Sequence, residues 1–253
     1  MVAASILAEV SLEAATVGWT SWSRTQRAMV DNLLPLRLGT EHVVEMVGDL
    51  GPPALQHEAA RSTQKLATLL GAEPVFLRRP AVVPSRAVAD ALLDQDTYAR
   101  HALNQLDKLD IALLSIGACT IEEPLQAGHN MFTKRQIDDV RKAGAVGEVC
   151  LRYIDADGLP LASPLDEVTI GVTTQQLRHA RRRWAIAGGE RKREAVRSAL
   201  RGRWVDVPHH GRRDRTIPRL RQFGDPDQGS EVRLGAGFRL ASQGTQVGGC
   251  RSG

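Results

Sequence analysis

Val17 to Val30 reads VGWTSWSRTQRAMV, and the rest of the chain can be organised outward from it. A short apolar strand pattern gives way at Ser21–Thr25 to a corner of hydroxyl-bearing residues and one arginine. A helix bearing Met29, Val30 and Leu33 follows. A strand handing over to a helix through a short polar corner is the repeating unit of a parallel α/β sheet. Backbone amides at a helix start, with the hydroxyls of Ser23 and Thr25 and the guanidinium of Arg24, suit a phosphate. Ser23 or Thr25 serves equally as a plain helix cap.

The pattern recurs along the chain. Apolar runs at Thr16–Thr20, His42–Val47, Pro74–Leu77, Ile111–Ile116, Val149–Ile154, Val168–Val172, Trp184–Ala187 and Trp204–Val207 read as strands. Several are rich in Val and Ile on both faces, as strands buried between two helix layers should be. The helices between them have legible ends. Thr133 stands three residues before Gln136 in a capping-box pattern, Ile137 and Val140 share a face, and Gly144 stops the run. From 54 to 71, Leu55, Ala59, Leu66 and Leu70 line one side and Gly71 ends the helix. Asp155–Gly158, DADG, reads as a turn between strands. The predicted fold is an open, mostly parallel α/β sheet with helices on both faces.

At 253 residues the chain can hold one large α/β domain, and its 42% hydrophobic content is that of a globular protein. Cys119, Cys150 and Cys250 are far apart with no CxxC, which points to a reducing compartment and away from a disulfide framework or zinc site. No apolar run reaches the roughly 20 residues of a membrane span, so a soluble, cytoplasmic protein is expected. The formal charge of +4 is unevenly placed: 8 basic and 4 acidic residues follow Val207, leaving 25 of each in residues 1–207. A neutral body has no broad electrostatic footprint for nucleic acid.

Two further strand ends carry candidate contacts. At Ser115-Ile116-Gly117-Ala118, Gly117 permits close backbone approach of a ligand or simply a tight turn. In WAIAGGERKREAV, Trp184 to Val196, a strand runs through Gly188-Gly189 into a helix with Lys192 in its first turn. A lysine there opposes the helix dipole, which an anion would explain; a solvated surface lysine is the plainer account. No GxSxG, HExxH or phosphate-loop motif is present, and His42, His57, His101, His129 and His179 are scattered.

In this order, the segments TVGWTSWSRTQRAMVDNL, VVEMVGDLGPPALQHEAARSTQKLA, VVPSRAVADALL, LDIALLSIG, AGAVGEVCLRYIDADG and AIAGGERKREAVRSALRGRWVDV resemble the effector-binding domain of the SorC family of sugar-binding transcriptional regulators. The likeness runs from about residue 5 to residue 207. It implies a fold like the sugar-phosphate isomerases of the glucosamine-phosphate type, used for binding rather than turnover and needing no cofactor. A phosphorylated sugar or related metabolite is the implied partner, and a homo-oligomer the implied state of an intact member. Carried over by position, the phosphate corner falls on Ser23, Arg24 and Thr25, a polar contact on Gln56, a backbone turn on Gly117, an acidic contact on Glu148 and a basic contact on Lys192. The family's corner often reads Gly-Thr-Thr rather than Ser-Arg-Thr, and some relatives place an Arg where this chain has Val47-Gly48-Asp49. On this likeness the family's helix-turn-helix is expected to be missing ahead of Met1, so DNA contact would need a reader not in this sequence. The rival reading is an isomerase-like or hydrolytic enzyme on the same fold, for which Glu148 is the candidate base; a non-functional fragment is a third.

After Trp204-Val205-Asp206-Val207 the strand pattern stops at PHHGRRDR, where the family continues into Thr-Asp-Glu and a helix. Permitted codons for Pro208–Pro218, read one base later, give Leu-Ile-Thr-Asp-Glu-Gly-Thr-Ala-Arg-Phe. Residues 208–253 are therefore expected to be a frame-shifted, disordered basic tail on an effector domain of residues 1–207. The alternative is a natural basic arm, though the tail lacks the aromatic interleaving of single-strand binders.

Overall fold

The computed structural model describes residues 16–35, 39–120, 123–187 and 190–206, without the side chains of 123 and 124. The tail expected from 208, the strand end at Val207 and the Gly188-Gly189 step lie outside the described residues. In chain order the elements are β1 (Thr16–Trp19), α1 (Arg24–Asp31), β2 (His42–Glu45), α2 (Pro53–Leu70), β3 (Glu73–Val75), α3 (Arg86–Asp94), α4 (Thr97–Gln105), β4 (Leu109–Leu114), β5 (Ile116–Ala118), α5 (Glu123–Gln126), α6 (Lys134–Lys142), β6 (Gly147–Val149), β7 (Arg152–Ile154), α7 (Thr174–His179), β8 (Arg182–Ala185) and α8 (Arg193–Arg201).

Five strands form a parallel sheet in the order β3-β2-β1-β4-β8. Their side chains alternate between two cores, as the two-residue period of a strand requires. Val17, Trp19, Val43, Ile111 and Leu113 pack with Val30 of α1 and Leu66 and Leu70 of α2 on one face. Val44, Met46, Ala112 and Leu114 pack on the other with Ala99 and Ala102 of α4 and Leu177 of α7. Gly18 is closely covered by the second layer, where a Cβ would stand 2.7 Å from Leu109 and 2.8 Å from Met46. The open parallel sheet with helices on both faces is thus the architecture observed.

A second, three-stranded antiparallel sheet, β5-β6-β7, was not foreseen from sequence. The run Val149–Ile154, read as one strand, is a hairpin. Cys150 and Leu151 turn the chain at φ 52° and 65°, left-handed values adopted without glycine and so without a sequence signal. Ile116, assigned to the strand of β4, instead opens β5. Val168–Val172 is not a strand but crosses the sheet end by single bridges, Val82 to Thr169 and Val47 to Gly171. Trp204–Asp206 is irregular as well. There Trp204 Nε1 donates to Gly158 O at 2.7 Å under the Arg178 guanidinium, so the indole seals the DADG turn instead of pairing in a sheet. The caps match their sequence signatures: Thr133 and Gln136 make the capping box of α6, and Gly71 closes α2 at φ 70°.

Candidate functional site

The chain runs from β1 outward to β2 and β3, then returns to β4 on the other side of β1. The carboxyl ends of β1 and β4 therefore flank the topological switch point, where open α/β sheets bind ligands. Gln26, buried on α1, spans the two ends: its Oε1 accepts from Thr20 N at 3.3 Å and its Nε2 donates to Leu113 O at 3.0 Å. Nothing in the periodicity marked this glutamine, because a buried amide on an amphipathic helix reads as one more polar residue.

The seven residues carried over from the resemblance fall in three groups. Ser23 is the N-cap of α1 and its hydroxyl accepts from Gln26 N; Arg24 and Thr25 are exposed in the first turn. Ser23 thus does act as the plain cap. Gln56, early in α2, donates to Gly51 O at 2.8 Å and steadies the loop after β2. Gly117, Glu148 and Lys192 converge. Gly117 on β5 pairs directly with Glu148 on β6, and a Cβ at Gly117 would stand 2.0 Å from Glu148 Oε1. Lys192 is the N-cap of α8, one position earlier than a first-turn residue, and that helix packs so closely on β6 that a Cβ on Gly147 would meet Ala195 at 2.4 Å.

Glu148 is 7% exposed, and burial raises its carboxyl to about 7 despite a 2.5 Å hydrogen bond from Leu151 N and the nearby Lys192 charge. Burial also pushes the thiols of Cys119 and Cys150 to about 12, with the Glu148 charge adding to it, and raises Tyr153. Around Glu148, then, the two thiols and the Tyr153 phenol stay protonated, and Lys192 is the cation acting on the carboxyl. At the end of β1, Thr20 Oγ1 and Trp22 Nε1 are buried without a hydrogen-bond partner among the described residues. Buried polar atoms of this kind are rare in folded proteins and call for an explanation such as a ligand.

Two clefts are present among the described residues. One, about 670 Å³, lies between the end of β5, α6 and α8 and includes Cys119, Arg141, Lys142, Arg191 and Glu194. The other, about 490 Å³, lies between α3 and α7 and includes Arg86, Asp90 and Arg152. None of the seven candidates lines either. Among the described residues no group of three or more His, Cys, Asp or Glu side chains is placed to hold a metal, and no helix is long and apolar enough to cross a membrane.

A parallel sheet with this strand order, and with polar groups gathered at its carboxyl edge, is a small-molecule-binding α/β domain. The chain belongs to the sugar-binding domain family found in SorC-type transcriptional regulators: the family model Sugar-bind, a sugar-binding domain, matches residues 1–207. The transcriptional regulator YjhU of Escherichia coli is 30% identical over 186 residues, 73% of this chain and 56% of its own length. The deoxyribonucleoside regulator of Bacillus subtilis is 28% identical over 187 residues, 74% of this chain and 59% of its own length. The crystal structure of the full-length sorbitol operon regulator SorC of Klebsiella pneumoniae superposes with a TM-score of 0.66 at 25% identity, covering 80% of this chain and 64% of that one. The chain therefore spans little more than half the length of the first two relatives.

Proposed function

We propose that the chain serves as the effector-binding module of a sugar-responsive transcriptional regulator, and that its effector is a phosphorylated sugar or closely related metabolite, bound without turnover. The observation that carries this reading is the meeting of Gly117, Glu148 and Lys192 beside the switch point. A carboxylate suited to sugar hydroxyls and a cation suited to a phosphate lie on adjoining elements, with Gly117 making room for the carboxylate. The exposed first turn of α1, with Arg24 and Thr25, supplies a second anion-friendly position on the neighbouring strand end. The names of two relatives, a sorbitol operon regulator and a deoxyribonucleoside regulator, concern a polyol and a pentose derivative and agree with an effector of this size.

Binding without turnover is favoured over an isomerase by the relatives, which are named as regulators. Glu148, the candidate base of the rival reading, has no acid or histidine hydrogen-bond partner among the described residues. In the intact regulator, DNA would be read by a separate helix-turn-helix, and the domain would work in the cytoplasm as part of a homo-oligomer. A thermal-shift screen against sugar phosphates, paired with incubation and chromatography of each ligand, tests both halves. Stabilisation with the ligand recovered unchanged supports binding; conversion of any ligand would favour the enzyme.

A further inference from the structure

Beyond the switch point, the carboxyl ends of β2 and β3 hold an ion pair of unusual setting. Arg78, three residues past β3, places Nη2 at 2.7 Å from Asp49 Oδ1 and 3.8 Å from Glu45 Oε2. Glu45 is fully occupied already: it is 1% exposed, accepts from Thr63 Oγ1 at 2.7 Å and from Leu77 N at 3.1 Å, and Thr63 in turn accepts from Trp19 Nε1. Among the described residues, Asp49 has Arg78 as its one counter-charge. Yet the guanidinium is not used up. Its Nε is buried with no partner among the described residues, while the side chain as a whole is 39% exposed and lies over the Phe76 ring. Arg79, its neighbour, differs in being tied to Asp96 and Leu92 O.

The loop bearing Asp49 is held from both sides. Asn130 donates to Asp49 O and accepts from Gly51 N, each at 2.8 Å, and Gln56 donates to Gly51 O. A Cβ on Gly128 would sit 2.2 Å from Gly51, so the loop containing Asn130 lies directly on it. The backbone at Asp49 is therefore fixed, and its carboxylate can follow a departing Arg78 only by rotating the side chain.

We propose that Arg78 is an oxyanion-binding residue at the carboxyl edge of the sheet and that Asp49 is its resident counter-ion, displaced when a phosphate or carboxylate group of the effector arrives. This rests on the carboxyl edge being the effector site. An arriving anion takes the guanidinium's two-pronged donors, a geometry suited to phosphate and carboxylate alike. Asp49 is then left half-buried beside the Glu45 charge. Its carboxyl already stands at about 6 because burial outweighs Arg78, so losing Arg78 makes it take up a proton. Anion binding at Arg78 is thereby coupled to protonation of Asp49. The groups facing Asp49 are Arg78 from the segment after β3 and Glu45 from β2; the loop of residues 127–131 offers the neutral Asn130, with His129 exposed beside it.

Sulfate is the appropriate probe, because its charge is constant across the pH range and it needs no sugar specificity. Calorimetric titration of the full chain with sulfate at pH 5.5, 6.5 and 7.5 should show affinity falling as pH rises, by at most about tenfold per unit for one coupled proton. Arg78→Gln should lose this binding by about tenfold or more. Asp49→Asn should bind sulfate severalfold more tightly than the parent at pH 7.5 and with no pH dependence, provided circular dichroism shows both variants folded. Equal sulfate affinity in Arg78→Gln and the parent, or a pH slope retained in Asp49→Asn, would overturn the proposal. If the parent binds sulfate as described but no sugar phosphate, the effector reading fails while the Arg78 site stands. A parallel arm with gluconate and glucose 6-phosphate separates a carboxylate from a phosphate ligand.

Discussion

Glu148 Oε1 occupies the space into which a side chain at Gly117 would grow: a Cβ there would stand 2.0 Å from that oxygen and 3.0 Å from Cδ. The carboxylate cannot simply swing aside, because Leu151 N holds its other oxygen at 2.5 Å. Gly117→Ala should therefore cost about 1–3 kcal/mol of stability by overpacking and abolish effector response. Denaturant melts and a ligand titration on the same preparation check it; an alanine variant with parental stability would show that Glu148 is freer than this geometry allows.

Glu148 should leave a pH signature on folding. Its carboxyl rises from an ordinary 4.5 to about 7 on burial, so the folded state binds this proton more tightly than the unfolded chain. The stability so gained is fully present below about 4.5 and is lost as pH rises through about 7. The full difference is about 3 kcal/mol, because each tenfold gain in proton affinity is worth roughly 1.4 kcal/mol. Glu148→Gln should flatten the parent's decline between pH 5 and 8. An unchanged pH–stability curve in the variant would assign the decline to other groups.

Lys192→Ala should weaken binding of a phosphorylated effector by about 1.5–3 kcal/mol, the worth of a charge-assisted hydrogen bond. Because Lys192 also draws the Glu148 carboxyl downward, the same variant should move the midpoint of the pH–stability decline to higher pH. Loss of affinity with no movement of that midpoint would separate Lys192 from Glu148.

Asn130→Ala should cost about 2–3 kcal/mol, since it strips Asp49 O and Gly51 N of buried partners at once. Asn130→Asp keeps the acceptor for Gly51 N but turns a carboxylate oxygen toward Asp49 O in a buried position, so at neutral pH it should be at least as destabilising as alanine. Urea unfolding of the three proteins gives the order; an aspartate variant as stable as the parent would contradict it.

Much of this framework is legible in the chain itself. The strands β1, β2 and β4 announce themselves as short apolar runs with a polar corner behind them, and the α6 capping box is spelled out by Thr133 and Gln136. The hairpin at Cys150 and Leu151 was hidden because its left-handed turn uses no glycine or asparagine. Trp204 looked like a strand residue since an apolar run gives no hint that the indole nitrogen bonds Gly158 O. The polar network of Glu45, Arg78, Asp49 and Asn130 could not be seen either, because its members lie up to 85 residues apart and meet only when β2 and β3 bring their ends together. Sequence likeness marked Gly117, Glu148 and Lys192, and these do converge; Gln26, which spans the switch point, carried no such mark.

The central claim is that the carboxyl edge takes a sugar through its phosphate. Its most direct test is calorimetric titration with matched pairs, such as sorbitol 6-phosphate against sorbitol and deoxyribose 5-phosphate against deoxyribose, repeated on Lys192→Ala. Saturable binding of one phosphorylated member, at least tenfold tighter than its dephosphorylated twin and weakened by the lysine substitution, is the expected result. Equal affinity for both twins, with Lys192→Ala indistinguishable from the parent, would contradict the account.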